Sequence, residues 1–141
     1  MADLASKSGA RARPEFRNIH VSQLSQYRLP LAGIVSILHR VSGALMFLVG
    51  IPFILYLFQQ SLTSEISFDN YRAVVGSPLG KLVLLALVWG YLHHFCAGIR
   101  YLLLDMHVGV EKESSRTSAA VVLGVSLVLT AVVALKLFGV F

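Results

Sequence analysis

The chain has 141 residues, 56% of them hydrophobic and 13% charged, with a net charge of +5. A soluble domain carries about twice that charged fraction, so the composition argues against a soluble fold. The single cysteine, Cys96, excludes an internal disulfide and any cysteine-ligated cluster within the chain. No basic run interleaved with aromatics marks a nucleic-acid surface.

Residues 1–30 read as a polar, basic arm whose first dozen residues are expected to be mobile. The first apolar run begins near Leu29, so no cleavable signal peptide is expected and the first span should be retained. Pro30 can open a helix, because its missing N–H costs nothing in a first turn. A first span is predicted over 31–58, with Pro52 inside it as a kink or a local widening. Residues 59–77 read as a loop. Pro78 introduces a second span over 79–104, and residues 105–116 read as a short polar loop. Ser114 or Thr117 could cap a third span over 118–138, with Lys136 snorkelling at its outer end. Phe53, Tyr56 and Phe58 suit a lipid-facing or interfacial belt.

Residues 41–64, 82–99 and 117–135 hold no Asp, Glu, Lys or Arg. A helix needs about 20 apolar residues to cross a hydrocarbon core of about 30 Å. The predicted fold is therefore an all-α membrane protein: a cytoplasmic arm, then a three-helix transmembrane domain over 31–141. Lys7, Arg11, Arg13, Arg17 and Arg28 precede the first span, with Arg40 at its edge. Lys112 and Arg116 lie in the second loop, with Arg100 just inside the second span. The expected location is a bacterial inner membrane, in which the positive-inside rule puts the N-terminus and the second loop in the cytoplasm and the C-terminus in the periplasm.

Two clusters carry chemistry. Gly90, His94 and Gly98 share one helix face, at i, i+4 and i+8. Glycines one turn above and below the imidazole could clear space for a flat macrocycle. The same pattern also suits helix packing, with His94 hydrogen-bonding across the interface. His93 points about 100° away and aligns with Trp89 and Arg100, as a partner-facing or hydrogen-bonding residue. In the first span, Ser36, His39, Arg40 and Gly43 share a face at the edge of the charge-free stretch. Arg beside His suits an anionic partner, and Ser beside Arg suits a carbonyl oxygen. A snorkelling Arg with an incidental His is the blander reading. Asp105, closing the second span, could pair with Arg40 or Arg100.

The two clusters together resemble the cytochrome b membrane anchor of succinate dehydrogenase, in respiratory complex II. The first block is Arg13-Pro14, then Tyr27, Pro30 and Ser36-x-x-His39-Arg40-x-Ser42-Gly43. The second is His94-x-x-x-Gly98-Ile99-Arg100-x-Leu102-x-x-Asp105. The resemblance implies a heteromeric helix bundle that binds haem b and reduces ubiquinone. It makes His94 an axial ligand of the haem iron, with the other axial histidine from a second small anchor subunit. It makes Ser36 and Arg40 part of the quinone pocket, His39 and Arg40 contacts to the haem propionates, and Asp105 a supporting partner of the pocket. FAD and iron–sulfur clusters would belong to a flavoprotein and an iron–sulfur subunit. Tyr101 stands where many relatives have His or Phe. A fumarate reductase anchor acting on menaquinol and a haem-free structural anchor are the competing readings.

Overall fold

The computed structural model describes residues 20–24 and 26–140. The arm's Arg13-Pro14 motif, its first dozen residues and Phe141 lie outside the described residues. The elements in order are α1 (Val21–Leu24), α2 (Leu31–Leu45), a π-helical turn (Met46–Gly50), α3 (Ile51–Thr63), α4 (Glu65–Gly76), α5 (Pro78–Asp105) and α6 (Lys112–Leu137). Three helical stretches are long and apolar enough to cross a membrane: Leu31–Thr63, Pro78–Asp105 and Lys112–Leu137. The protein is thus all-α among its described residues, a multi-pass membrane protein.

Pro30 sits at the N-cap in extended conformation, and its carbonyl accepts from Gly33 and Ile34. The first span then stays helical through Pro52. The chain widens just ahead of that proline, where the Ile51 N–H donates to the Met46 carbonyl, five residues back. A proline has no N–H to give and crowds the preceding turn, so a wider turn there relieves the crowding.

Residues 59–77 depart from the expected loop: most of them form the end of α3 and the whole of α4. Ser64 caps α4 reciprocally with Ser67, each side chain taking the other's backbone N–H, at 3.2 and 2.9 Å. Serine stands where a capping box normally carries Glu or Gln, so the usual motif does not flag it. Helix α6 also starts earlier than expected, at Lys112. Its N-cap is Glu111 without a side-chain bond, so neither Ser114 nor Thr117 caps it.

α5 packs against both α2 and α6, and α2 also meets α6. Val35, Ala97, Ala119 and Val122 form the common core. In lipid, helices associate through close packing of small residues and hydrogen bonds rather than by burying large apolar groups from water. The large apolar side chains accordingly face outward, Phe47 being 70% and Leu102 66% exposed. Of the three aromatics read as a belt, Tyr56 and Phe58 are exposed and Phe53 is half-buried.

Candidate functional site

α2 and α5 run antiparallel, so the start of α2 and the end of α5 share one end of the bundle. That brings the two sequence clusters together. His94 on α5 approaches the His39–Gly43 turn of α2. Its Nδ1 lies 3.0 Å from the His39 carbonyl oxygen and 3.2 Å from Ser42 Oγ. Ser42 Oγ also donates to the His39 carbonyl at 2.9 Å, and Ser42 is buried. The imidazole of His39 stacks on that of His94, with centroids 4.0 Å apart and planes 12° from parallel. His39 also meets Tyr101 at 5.1 Å in a tilted contact. The Tyr101 hydroxyl is buried without a hydrogen-bond partner.

The glycines of the two clusters differ in how closely the facing helix approaches them. A Cβ on Gly90 would meet Leu45 and Ser42, and one on Gly98 would meet His39 Nε2. Both lie on the face that α2 packs against, as in the helix-packing reading, and at 3.7–4.0 Å a Cβ on either would make ordinary contact. The tightest requirement is across the interface. A Cβ on Gly43 would come within 2.9 Å of His94 Cε1.

Ser36 is half-buried and Arg40 exposed, one turn apart on α2. Asp105 is exposed at the end of α5. Since His39 lies over Gly98, Arg40 is level with about Ala97, and Asp105 is about 12 Å further along the axis at 1.5 Å per residue. The structure therefore does not bring Asp105 to Arg40. Nor does Asp105 hold Arg100. That guanidinium is buried between α5 and α6, where Nε donates to Ser118 Oγ at 2.9 Å and an Nη donates to the Ser115 hydroxyl and carbonyl at 2.9 and 3.2 Å. Ser115 and Ser118 were missed in the sequence. Their i, i+3 spacing at the head of an apolar helix is the signal that could have found them.

His93 is a second correction. It does not face a partner but is fully buried in the bundle, stacked on Trp89 at 5.5 Å. Its polar neighbour is the Val35 backbone, at a geometry short of a hydrogen bond. A groove of about 490 Å³ runs between α5 and α6, lined by residues such as Cys96, Ile99, Leu103 and Val121. By helical periodicity it lies on the side of α5 opposite His94, so it is not part of this cluster. Among the described residues no group of three or more His, Cys, Asp or Glu could enclose a metal ion. The bonds of the His94 ring are made through Nδ1, which leaves Nε2 without a hydrogen bond, on a residue that is half-buried.

Residues 15–133 match the profile of the family described as the succinate dehydrogenase/fumarate reductase transmembrane subunit. The chain belongs to that family. Among curated proteins it is 37% identical to the succinate dehydrogenase cytochrome b556 subunit of Paracoccus denitrificans, over 84% of this chain and 89% of the relative. It is 31% identical to the cytochrome b556 subunit of Coxiella burnetii, over 74% and 84% of the two chains. The equivalent subunit of Rickettsia felis is 28% identical over 76% and 82%. As a transmembrane subunit of the succinate dehydrogenase/fumarate reductase family, the chain works in the lipid bilayer within a complex of several subunits.

Proposed function

We propose that this chain is the haem b- and quinone-binding membrane anchor of a succinate dehydrogenase, where electrons from an iron–sulfur subunit reach ubiquinone. The observation that carries the reading is the contact of His94 Nδ1 with a backbone carbonyl oxygen. A carbonyl oxygen only accepts, so the 3.0 Å approach of the His39 oxygen requires N–H at His94 Nδ1. The lone pair is then on Nε2. Metal-bound imidazoles are commonly held this way, the other ring N–H donating to a backbone carbonyl. The residues present therefore fit a haem: His94 would ligate its iron, and His39 and Arg40 would meet its propionates. The cytochrome b556 names of the relatives support the same group. When bound, haem supplies a one-electron store beside a two-electron reaction.

The chain's own part in quinone reduction falls to Ser36 and Arg40. Arg40 is exposed on α2, where a ligand can reach its donors. The guanidinium would donate to a quinone oxygen and stabilise negative charge developing there. Ser36, one turn away, would add a hydroxyl donor. The Lys/Arg bias supports a cytoplasmic N-terminus, with this end of the bundle next to the iron–sulfur subunit. A second small anchor subunit would supply another histidine to the haem, and a flavoprotein the succinate chemistry. The relatives' names favour succinate dehydrogenase over fumarate reductase.

The test is an absorption spectrum of the purified complex, oxidised and reduced, with and without His94→Ala. The native complex should show a b-type spectrum and the variant should lose or strongly alter it. A native complex without haem absorption would make the chain a structural anchor. An unchanged spectrum in the variant would move the ligand elsewhere.

A further inference from the structure

The hydroxyl of Ser42 has more contacts than helix geometry demands. Serines in membrane helices commonly satisfy themselves on a carbonyl three or four residues back, and Ser42 does so on His39 at 2.9 Å. That bond alone would satisfy it. Yet the same oxygen lies 3.2 Å from His94 Nδ1, on a helix 52 residues away in sequence. Three polar atoms thus form a closed triangle: Ser42 Oγ, His39 O and His94 Nδ1.

The protons in this triangle can be assigned. The His39 carbonyl has none, so it accepts from both neighbours. The Ser42 proton therefore goes to the carbonyl. The His94 proton sits on Nδ1 and lies between the carbonyl and the Ser42 lone pairs. A single acceptor leaves an imidazole free to swing about the line joining the two atoms. A second acceptor, held rigidly on the same turn of α2, removes that freedom. The site is also closed to water, since Ser42 is only 1% exposed.

We propose that Ser42 is a positioning residue for His94. Its hydroxyl fixes the plane of the imidazole and helps hold the proton on Nδ1, so that the Nε2 lone pair keeps one direction. The proposal rests on the reading of His94 as a haem ligand. It adds a residue that does not itself touch the group.

The test uses the whole membrane complex with Ser42→Ala and Ser42→Thr. Alanine removes one oxygen and keeps helix propensity, and threonine restores a hydroxyl able to bond the same carbonyl. Two readouts besides activity are taken: the electron paramagnetic resonance signal of the oxidised haem, which follows the orientation of the axial imidazole planes, and the rate of haem loss to a competing apoprotein. We expect Ser42→Ala to assemble with haem, to shift the resonance signal, and to lose haem about tenfold faster, the low end for removal of a ligand's supporting bond. Ser42→Thr should restore both readouts. Unchanged resonance and release in Ser42→Ala would overturn the proposal. So would a change that threonine fails to restore, because the effect would then follow side-chain volume. A parallel His94→Ala complex separates the two levels. If it keeps its native spectrum, the ligand assignment has failed; if it loses it, the result bears on Ser42 alone.

Discussion

The imidazoles of His39 and His94 face each other at 4.0 Å, and the same His39 contributes the carbonyl that His94 Nδ1 bonds. One residue thus holds His94 twice, once through its side chain and once through its main chain. The two can be separated by mutation. His39→Phe should keep the stack, while His39→Ala loses it and leaves the carbonyl. An aromatic pair is worth about 0.5–1.5 kcal/mol beyond its area. The alanine complex should therefore lose haem about two- to tenfold more readily than the phenylalanine one. Equal retention would show that the stack contributes nothing to the pose of His94.

Gly43 offers a steric test of the same pose. A Cβ there would lie 2.9 Å from His94 Cε1, closer than carbon atoms tolerate. Gly43→Ala should displace the imidazole, with reduced haem content in a complex that still assembles. Gly90→Ala, whose nearest neighbours would be 3.7 and 4.0 Å away, should be milder. Haem-to-protein ratios of the two purified variants check the order.

The adjacent histidines should separate cleanly. His93 is buried against Trp89 and makes no hydrogen bond to the cluster. His93→Ala should leave the haem spectrum in place and lower thermal stability by about 2 kcal/mol or more, as other large-to-small changes in packed interiors do. Loss of the spectrum with unaltered melting would reverse the roles assigned here to His93 and His94.

For quinone chemistry, Arg40→Leu should abolish most ubiquinone reduction while succinate oxidation with an artificial acceptor survives. Ser36→Ala should be milder, because one neutral hydrogen bond is worth about 0.5–1.5 kcal/mol net. Full ubiquinone turnover in an assembled Arg40→Leu complex would place the pocket elsewhere. Loss of both activities would place Arg40 in assembly instead.

Arg100 gives a stability prediction. A hydrogen bond to a charged group is worth about 1.5–3 kcal/mol, and Ser118 accepts one from the Arg100 Nε. Ser118→Ala should lower the melting temperature of the complex without moving its spectrum. Unchanged melting would mean that the guanidinium finds another acceptor at no cost.

The spans were legible because lipid demands long uncharged helices, and that demand is written in composition. The pairing of the two clusters was legible only in part. Face periodicity put Ser36, His39 and Arg40 together, and His94 with Gly98, but it could not say which glycine met which ring. That depends on the relative height of two helices, which no single-helix pattern encodes. Helix α4 was missed because its cap uses Ser67 where a carboxamide or carboxylate is the usual sign. Asp105 was offered as a partner for Arg40 or Arg100 because opposite charges suggest one another, whereas two serines on α6 satisfy Arg100 without a second buried charge.

The π-helical turn at Met46–Gly50 has a consequence for insertions and deletions. The buried positions of the first span are Val35, Ser42, Gly50 and Leu57, at intervals of seven, eight and seven residues. Seven residues nearly complete two α-helical turns, so an eighth would rotate the rest of the helix by about 100°. The wider turn absorbs that extra residue, and Leu57 returns to the side that Val35 set. Deleting Leu48 should therefore convert the wide turn to an ordinary one and keep the helix in phase. Deleting Ile54, four residues past the turn, should throw Leu57 out of phase and abolish assembly.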